Sequence, residues 1–435
     1  MQRDCGGAGI QPARGQAEPP VPPRPSRVRY GVFFLTFLLG VVLYADRAAL
    51  SVLAPALRRD LGLSPMAMGW IFSAFVWGYA LFHVPSGWMG DRYGARRVLA
   101  GIVVLWSAFT AATALAWNLT SLMVLRFLFG AAEAGATPGV SRSLARWAPA
   151  NERARAQGFY FAGMSGGAAA APPLVTLVLL AWGWRACFLM LGLIGPLWAV
   201  VWYLWFRDEP GAHSRVNAAE LALVPEAAKS AETPPMAWRK LLGNANLRAI
   251  LLMYFTYGYT GYIYITWFPS YLQEARHASP ALAGALAAVP SLLGILAKPL
   301  GGWWSDRMCA RRGLRFGRRL VGGFGFGVGA VSVVFGLLAP NAYLATLFLG
   351  IADAGAALAH GVCFAVCLDV AARRAGTLSA LMLTAGSIGN AVSALAFGGF
   401  LSLTGSWTPP FLLAMAANAT GALLWLAIDP ERQLV

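Results

Sequence analysis

Six ionisable residues stand in stretches of this chain that otherwise avoid charge. Asp46 and Arg47 are adjacent, Arg126 and Glu133 are seven positions apart, and Lys298 and Asp353 follow in the second half. Arginine keeps its proton and offers a rigid fork that matches a carboxylate. A carboxyl group desolvated among apolar side chains can take up a proton near neutral pH. A fixed positive fork beside a protonatable acid is chemistry for binding an organic anion and coupling it to proton uptake. It is not the chemistry of an enzyme: no apolar stretch carries a His/Glu metal cluster, a Ser/His pair or a phosphate loop.

Spacing decides which of these groups can act together. Arg126 and Glu133 project from nearly the same face of a helix, about 10 Å apart along its axis. Asp46 and Arg47 diverge by about 100° and cannot address one target. Arg47 is therefore expected in a cavity and Asp46 against a neighbouring helix, the fourth. Tyr44 lies on nearly the same face as Arg47, and Tyr79 comes from the second apolar run. Arg47, Tyr44, Tyr79 and Arg126 are the substrate-binding candidates; Glu133, Asp46 and Asp353 are the proton-coupling candidates. Five tyrosines (Tyr254, Tyr257, Tyr259, Tyr262, Tyr264) can offer hydroxyls to a polyol and stack on a ring. Buried ion pairs that only fix helix packing are the competing reading, because a charge at bilayer depth costs about 2.5–3.5 kcal/mol and must find a partner.

The elements that position these residues are membrane helices. Of 435 residues, 58% are hydrophobic and 12% charged, too little charge for the surface of a soluble protein this long. Twelve apolar runs of bilayer-spanning length recur, near 31–57, 68–90, 98–117, 120–141, 156–180, 185–206, 249–272, 282–304, 320–338, 342–368, 376–403 and 408–428. The net charge of +16 would suggest nucleic acid until the charges are placed. With the N-terminus inside, 27 of the 34 Lys and Arg fall in cytoplasmic segments, 4 outside and 3 within spans. That asymmetry predicts both termini in the cytoplasm and no nucleic-acid partner. Residues 1–29 are rich in Pro, Gly and Arg without an apolar run and read as a disordered cytoplasmic tail. The five cysteines form no metal pattern.

The chain also repeats itself. "GWMGDR" (87–92) matches "GWWSDR" (302–307), and "FGAAEAGA" (129–136) matches "LGIADAGA" (349–356), aligning Glu133 with Asp353. The polar stretch 207–248 separates the copies. The expected architecture is an all-α membrane protein of twelve helices in two pseudo-symmetric six-helix bundles, 30–206 and 249–428, joined by a cytoplasmic linker and ending in a short tail, 429–435.

"GWMGDRYGARR" (87–97) and its degenerate copy "GWWSDRMCARRG" (302–313) resemble the loop signature of the major facilitator superfamily. "YADRAALSVLAPAL", "WGYALFHVPSGWMGDRYGARR", "RFLFGAAEAGATPG", "GWRACF" and "TWFPSYL" look like its anion:cation symporter branch, which includes bacterial sugar-acid, hexuronate and aromatic-acid transporters and the sialin and vesicular glutamate carriers. The resemblance implies that Arg47 binds the anion, that Glu133 couples protons, and that Asp91, Arg92 and Asp306 form a conformational latch between the bundles. Asn390, in "GSIGN", matches a polar position of the branch. His83 and Lys298, each eight residues before a motif aspartate, and Asp353 depart from its pattern. Helix 5 offers few hydrogen-bonders and Phe364 stands where sugar-acid relatives often carry Trp, which leaves room for an aromatic acid.

The function expected is proton-coupled import of a small organic carboxylate, such as a sugar acid, by a monomer in the bacterial inner membrane. Its partners would be the organic anion, protons and membrane lipid, with the proton gradient in place of any cofactor. A receptor or channel on the same fold is the non-transport alternative. A phosphate-ester exchanger would need a second arginine in the seventh span, and residues 249–272 hold no Lys or Arg.

Overall fold

The computed structural model describes residues 24–149, 152–223, 243–370 and 375–432, and among these every regular element is a helix. The first bundle contains α1 (Val28–Leu61), α2 (Pro65–Tyr93), α3 (Ala95–Ala112) and α4 (Leu119–Glu133 continuing as Ala136–Trp147), then α5 (153–182) and α6 (184–205). The second contains α7 (Ala245–Thr266 continuing as Phe268–Glu274), α8 (Pro280–Ala287 continuing as Val289–Arg312), α9 (Leu314–Leu338), α10 (Ala342–Val370), α11 (Ala375–Thr404) and α12 (Thr408–Ala427). Ten described helices are long and apolar enough to cross a membrane, one of them the 51-residue stretch that holds both α5 and α6. The tyrosine-rich α7 falls outside that set and completes the twelve.

Local chemistry sets the ends and breaks. Asn118 accepts the Ser121 N–H at 2.8 Å while Ser121 Oγ accepts the Asn118 N–H at 3.2 Å, a capping box that starts α4. Ser279 caps α8 and Asn341 precedes α10, its side chain accepting the Leu344 N–H at 2.9 Å. Gly183, at φ 78°, reverses the chain between α5 and α6 in a conformation that costs a residue with a Cβ. Breaks in α4, α7 and α8 each lie a few residues before a proline (Pro138, Pro269, Pro290), whose ring clashes with the carbonyl four residues back.

Within the first bundle α1 packs on the α5–α6 pair, α2 on α4, and α3 on α4 and α6; in the second, α7 packs on α11, α8 on α10, and α9 on α10 and α12. The two bundles meet chiefly through α2 with α11 and α5 with α8. Their hydrogen bonds to one another cluster toward the helix ends remote from the chain termini. There Met66 N–H donates to Ser402 Oγ at 2.9 Å and Arg58 reaches Glu274. Halfway along, Tyr262 OH donates to the Phe72 carbonyl at 3.3 Å. At the opposite end, the ion pairs seen between described residues lie inside one bundle or tie it to the linker: Arg318 holds Asp306 and Asp369, Arg146 holds Glu209, and Arg29 holds Glu152 and Glu220.

Candidate functional site

The site is built where α2 and α4 touch. Gly78 and Gly130 face each other so closely that a Cβ on either would strike the carbonyl oxygen of Phe127 or Phe75 on the other helix. That approach brings Phe75 and Tyr79 of α2 and Glu133 of α4 around Arg47 of α1. Arg47 donates from Nε at 2.5 Å to one oxygen of Glu133, and its Nη2 forms an ion pair with the same oxygen. Its guanidinium carbon lies 4.9 Å from the Tyr79 ring, 5.0 Å from Phe75 and 5.1 Å from Tyr44, a three-ring cage favourable to a delocalised cation. The pair is asymmetric in its exposure. The Arg47 side chain is 18% exposed and that of Glu133 is 0%. Glu133 Oε2, buried, has no hydrogen-bond partner among the described residues.

Asp46 turns the other way, into the bundle, and is 1% exposed. Among the described residues neither of its oxygens has a hydrogen-bond partner. The charges that act on it are Glu133 and Arg126, with the indole of Trp106 from α3 beside it. An unpaired buried carboxylate is costly, so a proton or the Arg126 charge must compensate it. Arg126 is itself 1% exposed, donates to Thr113 Oγ1 at 2.9 Å and lies between Phe129 and Phe188 at 4.8 and 5.3 Å. It therefore sits inside the first bundle, behind Glu133, and not at a cavity surface in this conformation.

Several supporting residues carry no charge and gave no signal in the sequence. Tyr160 of α5 is fully buried, shares a 3.1 Å hydrogen bond with Thr137 and borders Tyr79 and Arg47. Ser165, one turn further along the same helix, accepts from Lys298 at 3.5 Å across the bundle interface. Helix 5 is poor in polar groups, yet both of these face the site. His83 stacks at 5.3 Å on Tyr79.

The second bundle gathers a smaller cluster. Asp353 faces Lys298, Tyr257 and Tyr264. His360, one face of α10 below, lies 5.5 Å from the Tyr257 ring and 5.3 Å from Phe364. Only its helical spacing of seven from Asp353 could have drawn attention to it. The five tyrosines of α7 divide: Tyr254 stacks on Tyr257 at 5.0 Å, Tyr262 crosses to α2, and the buried Tyr259 hydroxyl has no partner. Asn390, with its amide nitrogen facing inward, donates to Gly386 O at 3.2 Å and Gly258 O at 2.9 Å, which ties α11 to α7. That is a helix-packing role. Among the loop-signature residues, Arg92 is exposed and stacks near Trp88 and Tyr93, while Asp306 pairs with Arg318 of its own bundle at 2.8 Å. The side chain of Asp91 lies outside the described residues.

A model described as the Major Facilitator Superfamily matches residues 36–314 and 250–434. The chain belongs to the Major Facilitator Superfamily. Members of this superfamily are transporters and not enzymes, and the chain is accordingly a multi-pass membrane protein. Among its superfamily relatives are a protein named as a probable sulfoacetate transporter from Cupriavidus necator, 34% identical with 93% of this chain and 94% of that one covered, and two from Bacillus subtilis. One of these, named as a probable galactarate/D-glucarate transporter, is 32% identical over 94% of this chain and 93% of its own. The other, named as a hexuronate transporter, is 33% identical over 89% and 92%. Two solved superfamily folds align over 92% of the chain at a TM-score of 0.72. They are a bacterial homologue of the human lysosomal transporter Spinster, inward-facing and unoccupied, at 21% identity with 94% of it covered, and a D-xylose-proton symporter at 15% with 98% covered.

Proposed function

We propose that this carrier is a proton-coupled importer of a small organic-acid anion, of the class that includes aldonates, hexuronates and aldarates. One observation carries the reading: the only hydrogen-bonded partner of the Arg47 guanidinium among the described residues is a single oxygen of a fully buried acid. While Glu133 is ionised, Arg47 is neutralised and cannot bind a second anion strongly. A proton on Glu133, whose second oxygen is unpaired, removes that competitor and frees the fork for the substrate carboxylate. Asp46, beside Glu133 and Arg126, offers a second proton position on the same relay. Tyr44 and Tyr79 would cover the ring or hydroxyl face of the substrate.

The cycle follows from this exchange. From outside, Glu133 is protonated and Arg47 takes the anion. The bundles 30–206 and 249–428 then rock about the midplane site, and deprotonation of Glu133 toward the cytoplasm lets it reclaim Arg47 and expel the substrate. With both termini cytoplasmic, the contacts remote from the termini close the outer side, and the intact Arg47–Glu133 pair marks the state after release. The proton gradient is the driving force, the site needs no cofactor, and the setting is the bacterial plasma membrane. Asp353 and the latch residues Asp91, Arg92 and Asp306 would act on the second proton and on the rocking step respectively.

A ring-bearing acid is the second reading, favoured by the aromatic walls of Tyr44, Phe75, Tyr79, Tyr257 and Phe364. The test is uptake into proteoliposomes under an imposed inward pH gradient across a panel of sugar acids, dicarboxylates and aromatic acids. Glu133→Gln should abolish accumulation against the gradient while leaving exchange. Full, pH-dependent accumulation by that variant would overturn the reading.

A further inference from the structure

Three basic side chains lie in the spans, and two are engaged: Arg47 by Glu133, Arg126 by Thr113 and two phenylalanine rings. Lys298 differs. Its ammonium is half-buried at the interface of the two bundles, where it donates to Ser165 Oγ of α5 across a 3.5 Å gap. Among the described residues no carboxylate pairs with it within 4.0 Å; Asp353, on α10, faces it from further off. His360, two turns along α10 from Asp353 and within electrostatic range of Lys298, has a buried Nδ1 with no hydrogen-bond partner among the described residues. An ammonium at the bundle interface whose best contact among the described residues is one long hydrogen bond to a hydroxyl is under-satisfied. An unpaired imidazole nitrogen beside it adds a second polar group with nothing to bind. Together they form a station suited to an acidic oxygen.

The station faces the first site. Tyr44, which lies under Arg47, is an electrostatic neighbour of Tyr257, and Tyr257 is in turn an electrostatic neighbour of Asp353, its ring 5.5 Å from that of His360. Arg47 of α1 and Lys298 of α8 thus stand on opposite bundles, and α5 meets both, with Tyr160 beside Arg47 and Ser165 bonded to Lys298. We infer that Lys298, assisted by His360, binds a second acidic group of the substrate, so that the carrier takes two-ended dianions in preference to monoanions. Asp353 balances the ammonium when the station is empty. The inference rests on the organic-anion reading of Arg47 and narrows it. It also supplies a reason for the bundles to close: a ligand anchored to both walls binds the closed chamber better than either open one, and differential binding is what shifts such an equilibrium.

The experiment measures binding to the purified full chain, and counterflow in proteoliposomes, with size-matched pairs that differ in one acid group: glucarate against gluconate, succinate against butyrate, terephthalate against benzoate. The parent should bind the dianion of at least one pair about tenfold more tightly than its monoanion. Lys298→Gln should erase that preference by weakening the dianion about tenfold and leaving the monoanion unchanged, and Lys298→Arg should keep it. Thermal unfolding of both variants controls for folding, and the arginine variant keeps the test valid if the glutamine variant is unstable. Equal weakening of both partners by Lys298→Gln, no weakening of either, or a parent that prefers monoanions overturns the inference while leaving the organic-anion reading intact. Binding of no acid of either kind overturns that reading as well.

Discussion

Arg58 and Glu274 join the two bundles: Nη1 of the arginine lies 2.6 and 2.7 Å from the two carboxylate oxygens, at the ends of α1 and α7 remote from the chain termini. Arg58 is further steadied by the Leu63 carbonyl at 3.4 Å. Both side chains are partly exposed, at 18% and 32%, so the pair is worth about 0.2–1 kcal/mol. That is small for stability but enough to tilt a balanced conformational equilibrium by about 1.4- to fivefold. Glu274→Gln should increase by that factor the population open at this end. Distances between spin labels on the ends of α1 and α7, in a chain stripped of its own cysteines, would report it. An unchanged distribution would leave the pair without a gating role.

Asp46 gives the sharpest test of the proton relay. Its oxygens make no hydrogen bond, so an amide of the same shape loses no contact and sheds a buried charge. Asp46→Asn should keep stability within about 1 kcal/mol of the parent, a shift of a few degrees in Tm, while proton-driven accumulation falls. A large drop in Tm with unaltered proton stoichiometry would make Asp46 a structural residue.

What the sequence disclosed follows a physical divide. Charges in apolar runs are conspicuous because they are expensive, so Arg47, Glu133 and Asp46 could be singled out, and the 100° step between neighbours predicted their opposite directions. Arg126 carries the same signal but lies inside the bundle, because a seven-residue spacing gives a shared face without saying which neighbour that face meets. Asn390 turned out to bond backbone carbonyls of α7 and its own helix, a contact decided by which helices adjoin. Phe75, Tyr160 and Ser165 were silent for a related reason: aromatic and small hydroxyl residues are ordinary in membrane helices, and only tertiary packing brings them to Arg47 and Lys298.

The close approach of α2 and α4 that assembles the aromatic cage can be tested directly. A methyl group on Gly130 would collide with the Phe75 carbonyl, a backbone atom that moves only with its helix. Gly130→Ala should therefore cost about 1–3 kcal/mol and weaken substrate binding by pushing Phe75 and Tyr79 away from Arg47. Gly101→Ala, where nothing lies within 4 Å, is the control and should be neutral or slightly stabilising. Equal Tm values for the two variants would contradict the geometry.

At the end bearing the termini, the short linker helix Ala218–Leu221 is clasped to the start of α1 through Glu220. Its carboxylate accepts the N–H groups of Val28 at 2.9 Å and Arg29 at 3.0 Å, the Ser26 hydroxyl, and the Arg29 guanidinium at 3.3 Å. These are two of the unpaired donors of the first helical turn, where negative charge is favoured. Burial opposes ionisation of Glu220, but these hydrogen bonds outweigh it and hold the carboxyl below the ordinary glutamate value. Glu152, bound by Arg29 at 2.8 Å, is held low by that bond. A depressed folded value means the clasp stabilises fully above the unfolded value of about 4.3 and is lost as pH falls from there through the lower folded values. Glu220→Gln should thus lower stability by about 1–3 kcal/mol at pH 7, and the gap to the parent should close as the pH is taken below about 4. Thermal unfolding of parent and variant at pH 7, 5 and 3.5 measures it, and a gap that does not narrow between pH 5 and 3.5 would show that the charge of Glu220 contributes nothing to the clasp.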